Sequence, residues 1–135
     1  MKNYIVVAAT LAIVSMISVS LAADELVVGK WLSEPGNTGR RAQVQIEPCG
    51  DKLCGIIIGA LDSEGALEVT YEHLGKQMIK GMKKKGPGSY VGGTIWAPDK
   101  NKIYKSSMTL ADNGKLIVKG CLAFICRSQA WTRLN

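Results

Sequence analysis

Residues 41–47 read Arg-Ala-Gln-Val-Gln-Ile-Glu, and polar and apolar side chains alternate along the whole stretch. A period of two places Ala42, Val44 and Ile46 on one face of an extended strand and the polar residues on the other. The stretch therefore predicts a half-buried β-strand, which we expect Pro48 to end.

Similar strands are predicted along the rest of the chain, with turn residues between them. Gly86-Pro87-Gly88 and residues 98–101 (Pro-Asp-Lys-Asn) are typical of turns, and Asn113-Gly114 between two alternating segments is a strong hairpin signal. The connection at 62–75 is too long for a tight hairpin and could hold a helical turn. The other predicted strands lie at residues 27–33, 53–60, 76–83, 90–96, 102–110, 115–121 and 127–134.

This series of about eight strands with short connections predicts an all-β fold, a single antiparallel up-and-down barrel. Sequential strands usually pair with their neighbours, and closure of the sheet removes its exposed edges. A two-sheet β-sandwich stays open as the alternative. The interior of an eight-stranded barrel is wide enough to be filled by side chains or to hold one small ligand, and the alternation does not distinguish the two.

The first residues predict a cleavable signal peptide. Lys2 precedes an apolar run at 5–21, and Ser20-Leu21-Ala22 offers small side chains at the positions that a signal peptidase reads. We therefore predict a signal peptide at residues 1–22 and a single β-barrel domain at residues 23–135. No integral membrane segment is expected after cleavage, and the protein is predicted to be periplasmic or secreted.

All four cysteines lie in the predicted barrel domain. An even number of cysteines in an exported chain predicts disulfides. Cys49 and Cys54 enclose four residues that read as a turn, and Cys121 and Cys126 also enclose four, so the spacing favours two local bridges. A long-range pairing such as Cys49–Cys121 stays open. No metal site is predicted, because the spacing lacks the Cys-x-x-Cys pairs typical of zinc sites.

The charge of the chain is positive, with seventeen Lys and Arg against eleven Asp and Glu. The basic residues are scattered except for Lys83-Lys84-Lys85, which precede the turn residues at 86–88. We predict a solvated loop at this triplet and no nucleic-acid partner, since an exported protein seldom meets nucleic acid.

No catalytic residue and no cofactor is predicted. The single histidine, His73, lies in the acidic connection at 62–75, where we expect it on the surface. The acids of this connection are Asp62, Glu64, Glu68 and Glu72. Their spacing matches no calcium-binding loop, and no serine lies in a Gly-x-Ser-x-Gly motif. A non-enzymatic protein is therefore predicted, and an enzyme acting through this connection is the least favoured hypothesis.

Four motifs follow one another along the chain: Gly29-Lys30-Trp31; Pro48-Cys49-Gly50 with Leu53-Cys54-Gly55; Gly92-Gly93-Thr94-Ile95 with Pro98 and Tyr104; and Arg-Ser-Gln-Ala-Trp-Thr-Arg at 127–133. Together they resemble the bacterial family DUF2147, a domain of unknown function, over essentially the whole of residues 23–135. The resemblance implies a periplasmic or secreted small β-barrel similar to the lipocalin and avidin group. It implies no established reaction or ligand.

The Gly29-x-Trp31 motif also resembles the first-strand signature of those barrels. There the Trp closes one end of the barrel and an Arg from the last strand stacks over it. The resemblance implies that Arg133 stacks on Trp31, with Arg127 as the second candidate. A structural plug is the expected role of these residues, rather than contact with a ligand.

The leading functional hypothesis is a non-enzymatic barrel that binds a small, largely apolar molecule. Aromatic residues with a polar tip and adaptable methionines suit such a ligand. The candidate pocket residues are Met78, Met82, Tyr90, Trp96, Tyr104 and Met108. The alternative is a structural or interaction module of the cell envelope that uses an outer face, an open end or the basic patch at 83–85.

Overall fold

The computed structural model describes residues 2–15 and 26–135, and its eight strands form one antiparallel sheet. The strands are β1 (Gly29–Leu32), β2 (Arg41–Cys49), β3 (Lys52–Leu61), β4 (Gln77–Gly86), β5 (Ser89–Ala97), β6 (Lys102–Leu110), β7 (Leu116–Leu122) and β8 (Ile125–Arg133). Residues 2–15 contain no strand or helix and are exposed. Among residues 2–15 and 26–135, no helix is long and apolar enough to cross a membrane. The predicted signal peptide falls partly on residues 1 and 16–22, outside the described residues.

The sheet closes into a barrel because its first and last strands pair. Each strand pairs antiparallel with the next, and β1 pairs with β8 through Trp31 opposite Arg133 and Leu32 opposite Thr132. This confirms the single up-and-down barrel and excludes the two-sheet sandwich. Closure leaves the sheet without an edge strand that could pair with another chain.

The two ends of the barrel are built from different connections. β1 begins and β8 finishes at one end, which also carries the β2–β3, β4–β5 and β6–β7 turns; we call it the closed end. The opposite end carries the β1–β2 loop (33–40), the β3–β4 loop (62–76), the β5–β6 turn (98–101) and the β7–β8 turn (123–124); we call it the open end.

Large apolar side chains fill the half of the barrel next to the closed end. Alternation predicted the inward face of β2 correctly, since Val44 and Ile46 are buried. Leu116 and Val118 of β7 are also buried. The largest fully buried side chains of the described residues are, in order of size, Trp31, Trp131, Ile46, Ile57, Ile79, Met82, Met108, Leu116, Val27, Val44 and Cys54. Packing of these side chains supplies the apolar burial that stabilises the fold.

Three local predictions differ from the structure. β2 continues through Pro48 to Cys49, with Pro48 opposite Leu53 of β3. On its other side β1 pairs only as far as Ile46, so this part of β2 is an edge, where a strand tolerates proline. The basic triplet at 83–85 forms the exposed last part of β4 instead of a loop. The β3–β4 loop contains hydrogen-bonded turns, and one of them is closed by the bond from Leu74 N to Tyr71 O. It contains no helical turn.

A cavity at the open end of the barrel

The half of the barrel next to the open end contains a cavity of about 600 Å³. Small interior residues leave this space, since Ala97, Val118 and Gly120 occupy positions where large side chains would fill it. A Cβ atom added at Gly120 would lie 3.4 Å from Ile95 Cγ2 and 3.5 Å from Tyr104 Cβ. The side-chain sizes therefore divide the interior into a packed half and a hollow half.

The wall of the cavity is largely apolar and comes from five strands. β4 contributes Met78, β6 contributes Tyr104, and the β1–β2 loop lies over the mouth. The remaining apolar lining residues are Pro35, Ile95, Trp96, Ala97, Val118, Leu122 and Ile125. Such a wall favours the apolar part of a bound molecule.

Polar side chains line the cavity on β8 and around its mouth. Arg127 lies opposite Gly120 and Gln129 lies opposite Val118, so both share the inward face of β8 with buried Trp131. Gln129 Oε1 accepts a hydrogen bond of 2.8 Å from Trp131 Nε1, which fixes the orientation of the amide. Further polar lining comes from Asn37, Asp99, Lys100 and Lys102 around the mouth.

The structure separates the six predicted pocket residues into two groups. Met78, Trp96 and Tyr104 line the cavity. Met82, Tyr90 and Met108 are buried in the packed core and do not line it. The prediction weighed residue type but not position along the barrel axis, and it overlooked the small residues that create the space.

Trp96 connects the cavity mouth to the β3–β4 loop. Its Nε1 donates to Asn101 Oδ1 at 3.0 Å, its ring meets the edge of His73 at 5.0 Å, and Lys76 Nζ lies 5.6 Å from its centroid. With Met78 it also borders a smaller outer groove of about 230 Å³. Trp96 therefore holds the β3–β4 loop against the wall of the barrel.

His73 is more enclosed than we expected. Its side chain is 17% exposed, because its ring packs edge-on against Tyr71 and Trp96. Nδ1 lies 3.0 Å from Lys76 Nζ and Nε2 lies 3.3 Å from Glu72 Oε1. Both ring nitrogens are thus engaged within the loop, and His73 does not line the cavity.

Three of the four acids in the β3–β4 loop support its conformation. Asp62 Oδ1 accepts hydrogen bonds from the backbone N–H groups of Glu64 and Ala66, both at 2.9 Å. Glu68 pairs with Arg40 at 2.7 Å, and Glu72 contacts His73. These contacts give the three acids a structural role, while the Glu72 side chain stays 79% exposed to solvent.

Arg133 is the arginine that stacks on Trp31 at the closed end. Its guanidinium carbon lies 4.3 Å from the Trp31 ring centroid, and Nη1 donates to Val28 O at 3.4 Å. Trp31 is fully buried and donates from Nε1 to Val27 O at 2.9 Å. Arg127, the second candidate, lies in the cavity wall instead.

The cysteines pair locally, Cys49 with Cys54 and Cys121 with Cys126. This is the pairing that the spacing favours. Glu47 approaches the first pair, but the two sulfurs are bonded to each other and so provide no thiolates for a metal ion. The second pair spans the β7–β8 turn, where Phe124 is fully exposed.

The closed antiparallel up-and-down barrel of eight strands has a lipocalin-like fold. A solved structure that is similar to it is protein HP1028 from Helicobacter pylori, described as belonging to the lipocalin family. The two have a TM-score of 0.60 and 18% sequence identity, covering 80% of this chain and 82% of that chain. No curated protein matches the chain. Residues 29–133 match DUF2147, described as an uncharacterized protein conserved in bacteria, and the chain belongs to this family.

Proposed function

We propose that the protein is a non-enzymatic carrier that binds a small, largely apolar molecule in the open-end cavity. The observation that carries the proposal is the cavity itself, whose volume of about 600 Å³ lies within the range of sites for small molecules. Its apolar wall gives a ligand affinity, and the few polar groups from β8 and the mouth give it orientation.

The packing of the barrel supports a preformed site. The Trp31–Arg133 stack and the large core residues pack the closed half tightly. The strands that line the cavity are therefore held in place by this packed half. A site that needs no rearrangement loses little free energy on ordering when the ligand binds. Binding without chemistry is the simpler function, because the imidazole of His73 is engaged outside the cavity.

We also propose that the barrel acts outside the cytoplasm, after removal of residues 1–22. Two disulfides support this location, since such bonds persist in oxidising compartments. The intact mass of protein recovered from the periplasm or the medium should correspond to a chain that begins at Ala23. A mass that retains Lys2 would contradict the proposed cleavage.

Filling the cavity tests the carrier function. N-phenyl-1-naphthylamine, a neutral apolar dye that fluoresces in apolar sites, should bind the wild-type protein. Gly120→Leu places a side chain in the cavity beside Ile95 and Tyr104 and should abolish this binding. Ser128→Leu adds the same side chain at an exposed position of β8 and should leave it intact.

Two results would contradict the carrier function. Either the dye fails to bind the wild-type barrel, or Gly120→Leu, shown to be folded by circular dichroism, binds it as well as Ser128→Leu does. If the dye binds the wild-type protein and not Gly120→Leu, mass spectrometry of the protein purified from its native envelope should identify the natural ligand.

The second candidate function is an interaction module of the cell envelope, and the exposed β7–β8 turn favours it. Phe124 is fully exposed, with Leu122 and Ile125 exposed beside it. A photo-crosslinking amino acid at position 124 should give defined adducts with an envelope protein or anionic polymer in intact cells. The same group at Ile58, an exposed position on the barrel wall, is the control. Identical adduct patterns at both positions would remove this candidate.

A further inference from the structure

We infer that the molecule bound in the open-end cavity carries an anionic head group on its apolar body, and that Arg127 binds this head group. The inference rests on the proposed function, because it names the chemical class of the ligand at the same site.

The position of Arg127 in the sheet places it in the wall of the cavity, where its side chain remains exposed to solvent. Arg127 lies opposite Gly120, and it shares one face of β8 with Gln129 and with Trp131, which is buried in the core. Gly120 has no side chain to cover the guanidinium from the neighbouring strand. The cation of Arg127 therefore contributes to the cavity wall, next to the space between Ile95 and Tyr104.

No carboxylate neutralises this cation within the described residues. The ion pairs between side chains in residues 2–15 and 26–135 are Arg40–Glu68 and His73–Glu72. The cavity lining has one acid, Asp99, whose Oδ2 lies against Gly36 in the β1–β2 loop. Lys100 and Lys102 add positive charge at the mouth, so the lining has three cations and one carboxylate.

The net positive charge of the cavity lining favours a ligand with a negative charge. Near a protein surface, a cation interacts with an opposite charge more strongly than it would in bulk water, and salt screens this interaction. The planar fork of a guanidinium matches the paired oxygens of a carboxylate or a phosphate and binds them with two hydrogen bonds. A positively charged molecule would meet repulsion from Arg127, Lys100 and Lys102 as it entered the mouth.

Gln129 offers a second contact for the head group. Its Oε1 already accepts from Trp131 Nε1, so its amide NH₂ is the part left to donate to a bound oxygen. The apolar body of the ligand would then lie along Ile95 and Val118, which face the same space. Arg127 and Gln129 of β8 would thus face the head group, while Ile95 of β5 and Val118 of β7 would face the apolar body.

A series of ligands with one tail tests this inference. Laurate, dodecyl phosphate, dodecanol and dodecyltrimethylammonium share a twelve-carbon chain and differ in the charge of the head group. Displacement of N-phenyl-1-naphthylamine below micelle-forming concentrations measures their affinities. We expect at least one of the anions to bind about tenfold more tightly than dodecanol, since charge-assisted hydrogen bonds are the strong ones. The trimethylammonium compound should bind most weakly, and the two anions distinguish a carboxylate from a phosphate head group.

Substitution of Arg127 completes the test. Arg127→Gln should remove the preference for anions while dodecanol still binds, and Arg127→Lys should keep part of it. Lys119→Gln is the matched control, because Lys119 is an exposed cation on β7 next to Gly120 and does not line the cavity. Raising the salt concentration should weaken the anion preference of the wild-type protein, a measurement that does not depend on the folding of a variant.

The outcomes separate the two proposals. If dodecanol binds the wild-type protein as tightly as both anions, or if folded Arg127→Gln keeps the full anion preference, the inference is wrong while the carrier function stands. If neither the dye nor any of the four compounds binds, the carrier function is wrong and the inference fails with it.

Discussion

Gly29 has a backbone φ of 141° and lies against the guanidinium of Arg133. A Cβ atom at this position would come within 2.7 Å of Arg133 Nη1. Glycine is needed for two reasons, since an L side chain is strained at this φ and would also push Arg133 away from Trp31.

Gly29→Ala should therefore lower the free energy of unfolding by about 1–3 kcal/mol. Urea denaturation followed by circular dichroism measures the change. Gly120→Ala is the matched control, because its backbone is not in the left-handed region and the added methyl meets only van der Waals contacts. Equal losses in the two variants would show that neither φ nor the Arg133 contact matters at Gly29.

Tyr71 gives a prediction about pH. Burial raises the pKa of the Tyr71 phenol, and the neighbouring Arg40 guanidinium lowers it by a smaller amount. The folded state therefore holds this proton more tightly than the unfolded state, in which a tyrosine titrates near pH 10. The resulting stabilisation is complete below that pH and is lost as the pH rises through the pKa of the folded state.

Denaturation curves at increasing alkaline pH should show this loss. Above about pH 10, the free energy of unfolding of the wild-type protein should fall more steeply than that of Tyr71→Phe, which has no phenol to ionise. Lysine titration affects both proteins alike and cancels in the comparison. Parallel curves would contradict the predicted effect of burial on Tyr71.

At the scale of elements, the β7–β8 hairpin is the clearest case of local reinforcement. Cys121 and Cys126 lie opposite each other in the register, and Ala123 takes a φ of 53° in the turn between them. A bridge that encloses so few residues restricts the unfolded chain only modestly, by about 2 kcal/mol. We expect it to hold the turn more than the barrel.

Replacing both cysteines of this hairpin with serine should accordingly lower the free energy of unfolding by about 2 kcal/mol and leave the barrel folded. Urea denaturation of the variant and of the parent measures the difference. Cys49→Ser with Cys54→Ser provides the comparison at the closed end, where the same small effect is expected. Complete unfolding of either variant would show that the bridges hold distant parts of the fold together.

The strands could be predicted from the sequence, but their ends and the site could be predicted only in part. Alternation along residues 41–47 fixed the inward face of β2, and Asn113-Gly114 fixed the β6–β7 hairpin, because both signals are local. Arg127 and Arg133 share one face of β8. Alternation identifies that face, but it does not indicate which end of the barrel each residue lies near. For that reason Arg127 was considered as a partner of Trp31, although it lies in the cavity wall.

At the scale of the whole molecule, the closed sheet should unfold as a single unit. Both halves of the interior share all the long strands, so no subset of strands can separate and keep its pairing. Trp31 and Trp131 report on the packed half, while Trp96 reports on the open end.

Urea transitions followed by tryptophan fluorescence and by far-ultraviolet circular dichroism should therefore coincide. In Trp96→Phe, the remaining fluorescence comes from the packed half and should give the same midpoint as circular dichroism. A fluorescence midpoint clearly above that of the circular dichroism would indicate that the open half melts first and that the two halves are independent.

The pairing of β1 with β8 also indicates where a tag can be fused to the protein. The N–H of Leu134 donates to the carbonyl of Lys30 at 2.8 Å, so the polypeptide enters and leaves the barrel side by side, opposite the mouth. An affinity tag or a tether to a sensor chip can be fused after Asn135 without obstructing the entrance. Each immobilised molecule would then present its mouth to the flowing solution, which would suit a direct test of the proposed carrier function.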